Sequence, residues 1–440
     1  MDGTGMNTSF PEAFVNRMRF QLGNELSAFL HALEEPPVRG IRLNSLKLTA
    51  ATSVYTKQQR IPWAENGYYL PAESDAGASI LHAEGAFYIQ EPGAMIPAAV
   101  LNALPGEKIL DLCAAPGGKS TQIACAMRGC GLLVCNEPVP KRAQILSGNI
   151  ERMGLPNTVV TCAMPDQLAE SWPEGFDAVL VDAPCSGEGM FRRDPETRKE
   201  WTKEKASGCA ERQREILAAA ARLVRPGGRL IYSTCTYTPE ENEVNAKWFT
   251  ECFTDFQSFP FSLPGIEAPD GMYTCYPHVL AGEGQFVAAF RKDGKKASLL
   301  PEDRTLRRPT KAEEDTFRSS FPALPEATHV FGKTMISMKQ LPELKGIKTL
   351  RAGLHLGEVR GKIAIPDHAA AMCFNVPDMQ TEELSPDHAV KYMAGETIPG
   401  DAEGWTLLKY QGLVIGWGKG SEGVIKNHYP KGLRNQRLIP

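Results

Sequence analysis

No apolar run in this sequence approaches the roughly 18 residues that a membrane-spanning helix needs, so no membrane partner is expected. The opening Met-Asp-Gly-Thr-Gly-Met has neither the basic nor the apolar stretch of a secretory leader. The 11 cysteines are odd in number, and no Cys-x-x-Cys spacing occurs. That excludes a disulfide framework and a zinc-ribbon type of centre, and it leads us to expect reduced thiols, no metal and a cytoplasmic protein. Charge of one sign is also lacking: 48 Lys and Arg face 52 Asp and Glu, a net −4, so bulk charge does not announce a nucleic-acid partner. There is no internal repeat and no low-complexity tract. What remains is a 440-residue chain, 42% hydrophobic and 23% charged, long enough for two or three folded domains.

Charge is uneven locally. Residues 291–311 carry eight Lys and Arg against three acids, and residues 426–437 carry four against none. Either stretch could be solvated surface or a contact for a polyanion. At the amino end, Ser9-Phe10-Pro11-Glu12 fits a capping box. Phe14, Met18, Leu22, Leu26, Phe29, Leu30 and Leu33 follow at helical steps, and Pro36-Pro37 stops the pattern. Arg39, Arg42 and Lys47 alternate with apolar residues, as in a strand with one basic face. Residues 1–78 thus read as a small α/β unit.

From 79 to 293 strands alternate with helices. The strand candidates are 108–113, 132–136, 158–162, 177–182, 229–233 and 286–291. A helix carrying Ile216, Leu217, Ala220, Leu223 and Val224 on one face should end at Pro226-Gly227-Gly228. This alternation predicts an α/β domain with a mostly parallel sheet, whose ligands bind beyond the carboxyl ends of the strands. Residues 294–315 read as a linker. Residues 316–440 contain short β-like pieces between glycines and prolines and read as a mainly β domain.

The first strand runs into Asp111-Leu112-Cys113-Ala114-Ala115-Pro116-Gly117-Gly118-Lys119-Ser120. Small residues let a ligand approach the backbone, and the free N–H groups of a helix start favour a polar group. A P-loop also ends in Gly-Lys-Ser. Here, however, its first glycine would fall on Cys113, and Pro116 removes an N–H from the phosphate cradle. The next strand ends in Glu137, placed to accept both hydroxyls of a ribose. A ribose without a phosphate cradle suits S-adenosylmethionine better than ATP or NAD.

Two further strand ends carry thiols, Asp182-Ala183-Pro184-Cys185-Ser186-Gly187-Glu188-Gly189 and Ser233-Thr234-Cys235-Thr236. A parallel sheet brings both to its ligand side, so Asp182, Cys185 and Cys235 should line one crevice. A thiol beside a methyl donor has a specific use. Carbon 5 of cytosine is a weak nucleophile until a thiolate adds to carbon 6 and makes the ring an enamine. A carboxyl group near ring N3 eases that addition by supplying a proton. The scheme requires one thiol, so the second needs an explanation.

In these three motifs, with Glu137 between them, the chain resembles the Sun-type RNA cytosine-5 methyltransferases, and Gly85-Ala86-Phe87-Tyr88-Ile89-Gln90-Glu91 is similar to the segment that leads into their catalytic domain. The tail Lys426-Asn427-His428-Tyr429-Pro430-Lys431-Gly432-Leu433-Arg434 resembles the RsmF-like branch, which acts on small-subunit (16S) ribosomal RNA. The resemblance implies a Rossmann-like methyltransferase core and a PUA-like RNA-binding carboxyl-terminal domain. It makes Cys235 the nucleophile and Cys185 an aid to product release. Asp182 would contact the cytosine, and together with Cys113, Ala114, Ala115, Pro116, Gly117, Gly118, Lys119 and Glu137 it would hold S-adenosylmethionine. The family often places an acid after the third strand for the adenine. Met164 stands there in this chain, with Asp166 two residues on.

For RNA, Arg192, Arg193, Arg198 and Lys199 are candidate phosphate contacts, the alternative being a solvated helix start. Tyr429 with Lys426, Lys431 and Arg434 is a candidate stacking patch. No long apolar helix face is left over, so a monomer is expected. Other substrates for the same chemistry are large-subunit rRNA and tRNA. Other functional classes are a P-loop NTPase and a non-catalytic ribosome assembly factor.

Overall fold

The computed structural model describes residues 10–48, 50–373, 378–435 and 437–439. The amino-terminal helical pattern forms two helices, α1 (Glu12–Leu22) and α2 (Leu26–Glu34), because Gly23 turns the chain at φ +53°. Both still bury the expected residues, Phe14, Met18, Phe29, Leu30 and Leu33, in a cluster with Phe191, Trp201 and Tyr237 of the next domain. Ser9, the expected cap, lies outside the described residues.

β1 (Arg39–Leu43) pairs with β2 (Gly67–Leu70) and β3 (Phe87–Ile89) in an antiparallel sheet. Its expected basic face does not form, since Arg42 is of opposite parity to Arg39 along an extended chain. Arg39 donates to the Ala72 and Ser74 carbonyls, and Lys47 to those of Glu84 and Arg152. Arg42 is buried and reaches into the next domain, as described below.

Among the described residues the central sheet has nine strands. These are β4 (Lys108–Asp111), β5 (Leu132–Asn136), β6 (Thr158–Thr161), β7 (Phe176–Asp182), β8 (Val224–Thr234), β9 (Phe256–Ser258), β10 (Met272–Cys275), β11 (Gln285–Lys292) and β12 (Thr349–Ala352). The order is β10-β11-β8-β7-β4-β5-β6-β12, with β9 against β11. The five strands from β8 to β6 are parallel, and those flanking them are antiparallel. Alternate residues divide between two cores: Leu110, Val134, Val179 and Val181 on one face, Ile109, Leu133, Ala178 and Leu180 on the other. Helices α3 (Gly118–Met127), α4 (Pro140–Met153) and α5 (Lys203–Leu223) help cover these faces. The Pro226-Gly227-Gly228 turn is absorbed into the start of β8, where the register against β7 shifts.

The stretch 294–315 is packed rather than free. Leu300 enters the first core, and the Asp303 carboxylate accepts backbone N–H bonds from Thr305, Leu306 and Leu344. β12 follows it and closes the β6 edge. Beyond lie a four-stranded and a five-stranded sheet. Glu151 of α4 accepts from Arg351 of β12 and from His368 Nδ1 at 2.8 Å, and the second bond ties the region after β12 to the core. No described helix is long and apolar enough to cross a membrane.

Candidate active site

The loop from β4 to α3 is made of residues too small to fill the space before them, and a cavity of about 330 Å³ lies there. Its walls include Tyr88, Gln90, Asp111, Cys113, Ala114, Ala115, Pro116, Gly118, Lys119, Asp182 and Arg193. A Cβ on Gly118 would sit 3.2 Å from Gln90 Nε2, so a larger residue here would press on Gln90. Arg42 braces the loop from the amino-terminal unit, donating to Gly118 O at 3.0 Å and Thr121 Oγ1 at 2.7 Å.

Of the expected loop residues, Gly117 lies outside the cavity wall, as does Glu137. Glu137 is buried; it accepts from Val139 N at 3.0 Å and is paired with Arg142 at 3.2 Å, and Arg142 also donates to Ala115 O. The acid is therefore tied to the loop through a guanidinium. Neither Met164 nor Asp166 lines the cavity; Met164 is exposed, and Asp166 faces Arg222 at 3.7 Å. Sequence reasoning missed Asp111. Its Oδ2 accepts from Ser120 Oγ at 2.6 Å, while its buried Oδ1 has no partner. Burial, with the Asp182 charge adding, pushes this carboxyl up to about 7. The signal was its position as the last residue of the first core strand.

Asp182 joins this cavity to the thiols. Its Oδ2 is 2.8 Å from Lys119 Nζ, and its Oδ1 accepts from Ser233 Oγ at 2.7 Å. Burial acts to lower the Lys119 ammonium, but Asp182, helped by Cys235 and Asp111, outweighs it and raises the group. Lys119 is thus a fixed cation within electrostatic reach of Cys235. The tips of β7 and β8 bring Cys185 Sγ within 3.1 Å of Cys235 Sγ, and the Cys235 N–H donates to Cys185 Sγ at 3.3 Å. The hydrogen bond to Cys235, and then burial, push the Cys185 thiol well up.

Acids that sequence reasoning passed over support these turns. Glu188 accepts from Arg17, the Tyr237 N–H and Thr238 Oγ1, and Glu241 accepts from Ser186 and Gln213. Two of the expected phosphate contacts are used internally. Arg192 is buried against Glu283 at 2.8 Å, and Arg198 donates to the Phe191 and Leu33 carbonyls. Lys199 pairs with Glu196, which leaves Arg193 as the exposed residue at the cavity. Tyr429 is buried against His368 and Tyr392, so the aromatic half of the proposed stacking patch is absent; Lys426, Lys431 and Arg434 are exposed. Among the described residues no cluster of His, Cys, Asp and Glu could hold a metal ion.

The chain matches the family model for 16S rRNA methyltransferase RsmB/F over residues 98–291. It also matches those for the RsmF amino-terminal domain over 10–92, the RsmF first carboxyl-terminal domain over 313–374 and the RsmF PUA domain over 380–435. Proteins named ribosomal RNA small subunit methyltransferase F from Salmonella arizonae and Escherichia coli K12 are each 33% identical to it, the alignment covering 96% of both chains. The chain belongs to the RsmF family of 16S rRNA methyltransferases. It is a methyltransferase with the Rossmann-like core and PUA domain that its motifs implied, and the P-loop reading falls. A methyltransferase homolog protein from Pyrococcus horikoshii is 29% identical, with a TM-score of 0.57 over 64% of this chain and 95% of that one. NSun6 from the same organism, solved with SFG, shares the fold at 22% identity and a TM-score of 0.58, over 65% of this chain and 99% of that one.

Proposed function

We propose that this RsmF-family enzyme methylates carbon 5 of cytosine in small-subunit ribosomal RNA, using S-adenosylmethionine and a covalent bond between Cys235 and carbon 6. The observation that carries the reading is the seam at Asp182. One carboxylate binds Lys119 of the glycine-rich loop and Ser233, two residues before a thiol that stands 3.1 Å from a second thiol.

The cavity fits the methyl donor. The unpartnered Asp111 Oδ1 suits an amino group, the loop from Cys113 to Lys119 admits close backbone approach, and Glu137 is the acid behind it. S-adenosylmethionine, when bound, supplies an electrophilic methyl group. The protein's own groups do the rest. Cys235 adds to carbon 6 as its thiolate. The proton leaving Cys235 ends on ring N3, with Asp182 as its carrier and Lys119 and Ser233 fixing its direction. Once carbon 5 carries its methyl group, its proton passes to water, the carbon 6–sulfur bond breaks, and the N3 proton returns through Asp182 to Cys235. Cys185, 3.1 Å from the departing sulfur, assists by hydrogen-bonding to it.

A base must leave its stack to reach this crevice, at about a few kcal/mol unless it is already unpaired. Arg193 at the rim and the exposed Lys426, Lys431 and Arg434 are the cations we assign to the RNA backbone. The test is methyl transfer from labelled S-adenosylmethionine to small and large ribosomal subunits, their naked RNAs and bulk tRNA, followed by nucleoside analysis. We expect 5-methylcytidine in the small-subunit samples alone. Label in another RNA would keep the chemistry and replace the substrate, and no label despite donor binding would favour an assembly role.

A further inference from the structure

We infer that the adjacent residues Glu241 and Asn242 are positioning residues that form one clasp around both thiols, Glu241 holding the Cys185 turn and Asn242 the Cys235 turn. The inference rests on the reading of Cys185 and Cys235 as the reacting thiols. Neither residue touches a sulfur, and both are buried. Glu241 Oε2 accepts the Ser186 N–H at 2.9 Å, and Oε1 accepts from Ser186 Oγ at 2.5 Å. Gln213 Nε2 joins them, donating to Glu241 Oε2 at 2.9 Å and to Pro184 O at 3.0 Å. The residues on both sides of Cys185 are therefore fixed to one carboxylate or its amide partner.

Asn242 does the same on the other turn. Its Nδ2 donates to Thr236 O at 2.9 Å, and its Oδ1 accepts from Thr234 Oγ1 at 2.6 Å. Thr234 and Thr236 flank Cys235. Beside the contacts of the thiols themselves, Ser186 Oγ and Thr236 Oγ1 bridge the two turns at 2.8 Å. Tyr232 OH locks the clasp to β8, its one hydrogen shared between the Glu241 carbonyl at 2.5 Å and Gln213 Oε1 at 2.9 Å. Burial pushes the Glu241 carboxyl up, but the bonds from Ser186 and Gln213 oppose that. A carboxylate so enclosed has use for its geometry rather than for exchange with solvent. With neighbouring residues in the chain anchoring each turn, the sulfur spacing is set by a rigid dipeptide and not by the two loops alone.

Two readouts test this on the full-length enzyme. The first is oxidation of the thiol pair by diamide. Two thiols lose their hydrogens and form one disulfide while diamide is reduced to its hydrazine, and the Cys185–Cys235 product is followed by peptide mass spectrometry. It reads the spacing without any catalysis. Glu241→Ala and Asn242→Ala should each slow it about tenfold, the effect of losing a charge-assisted or doubly bonded buried partner. The second is a single turnover on small-subunit RNA that separates formation of the protein–RNA adduct from its release. Glu241→Ala should slow release about tenfold with adduct formation near wild type, and Asn242→Ala should slow formation.

Glu241→Gln should restore most of what Glu241→Ala loses, because an amide can accept the Ser186 N–H and donate to Ser186 Oγ. If Glu241→Ala does not fold, Ser186→Ala removes the bridge to Thr236 and the hydroxyl bond to Glu241, keeps the Ser186 N–H bond, and should slow the cross-link. Wild-type cross-linking in the folded variants would overturn the clasp, and so would equal slowing of both catalytic steps by both variants. Slow cross-linking in the variants, together with full methyl transfer by Cys235→Ala, would leave the clasp standing and reject the reaction assigned to the thiols.

Discussion

The two halves of the crevice are built differently. The donor half is largely built from two short runs: Asp111 to Ser120 supplies half of its wall and residues 88–94 much of the rest, and Glu137 and Arg142 follow within one strand and one turn. The thiol half is long-range. Cys185 and Cys235 are 50 residues apart in the chain and are held by Glu188, by Gln213 and by the adjacent Glu241 and Asn242. A local half tolerates change elsewhere, whereas a composite half fails when any contributor moves. Asp182 is the seam, bonded to Lys119 on one side and Ser233 on the other.

The comparison can be broken most severely at Cys235. Cys235→Ala should cost at least about a thousandfold in methyl transfer, with donor affinity by calorimetry unchanged; full transfer would remove the nucleophile. Cys185→Ala should instead accumulate a protein–RNA adduct on a denaturing gel that disappears when Cys235 is also replaced. Asp182→Asn should damage both halves, with transfer down about a hundredfold or more and donor affinity reduced as Lys119 loses its partner. A loss confined to transfer would mean that Asp182 belongs to the thiol half alone.

Smaller effects sharpen the donor half. Glu137→Gln should weaken donor binding about tenfold and leave diamide cross-linking of the thiols untouched. Arg42→Met should lower stability by about 1–3 kcal/mol and loosen donor binding, measured by thermal melting with and without donor. Asp111 gives a pH signature. Its folded value, pushed up to about 7, lies above its ordinary 3.8, so between these values the folded state holds the proton and the unfolded state has lost it. Stability from this group is present at low pH and is lost as pH rises through that window. Asp111→Asn should flatten that part of the melting-temperature profile of the free protein.

What was legible in the sequence follows the same division. The parallel core, the glycine loop, the Asp182 motif and the convergence of Cys185 with Cys235 could all be read, because each is a run of neighbours at a strand end. The Glu241-Asn242 support could not, since nothing local distinguishes a buried acid from its exposed neighbour Glu240. Arg192 shows the converse failure. Among the charges of 192–200 it looked like surface, and its partner Glu283 is 91 residues away. Tyr429 failed similarly, for the cations around it in sequence are exposed while its own ring packs on His368. Arg42 misled through parity, because a basic residue on the inward side of a strand reaches the next domain.

β12 also bears on how the enzyme is made. The parallel strands are complete once Thr234 has left the ribosome, yet the β6 edge is paired only after residue 352 emerges, more than a hundred residues later. Throughout that interval a nascent catalytic sheet presents an open row of backbone donors and acceptors, the kind of edge that recruits other chains. Shortened versions ending near residue 293 would keep that exposure permanently, and aggregation rather than loss of RNA affinity is the failure to expect of them.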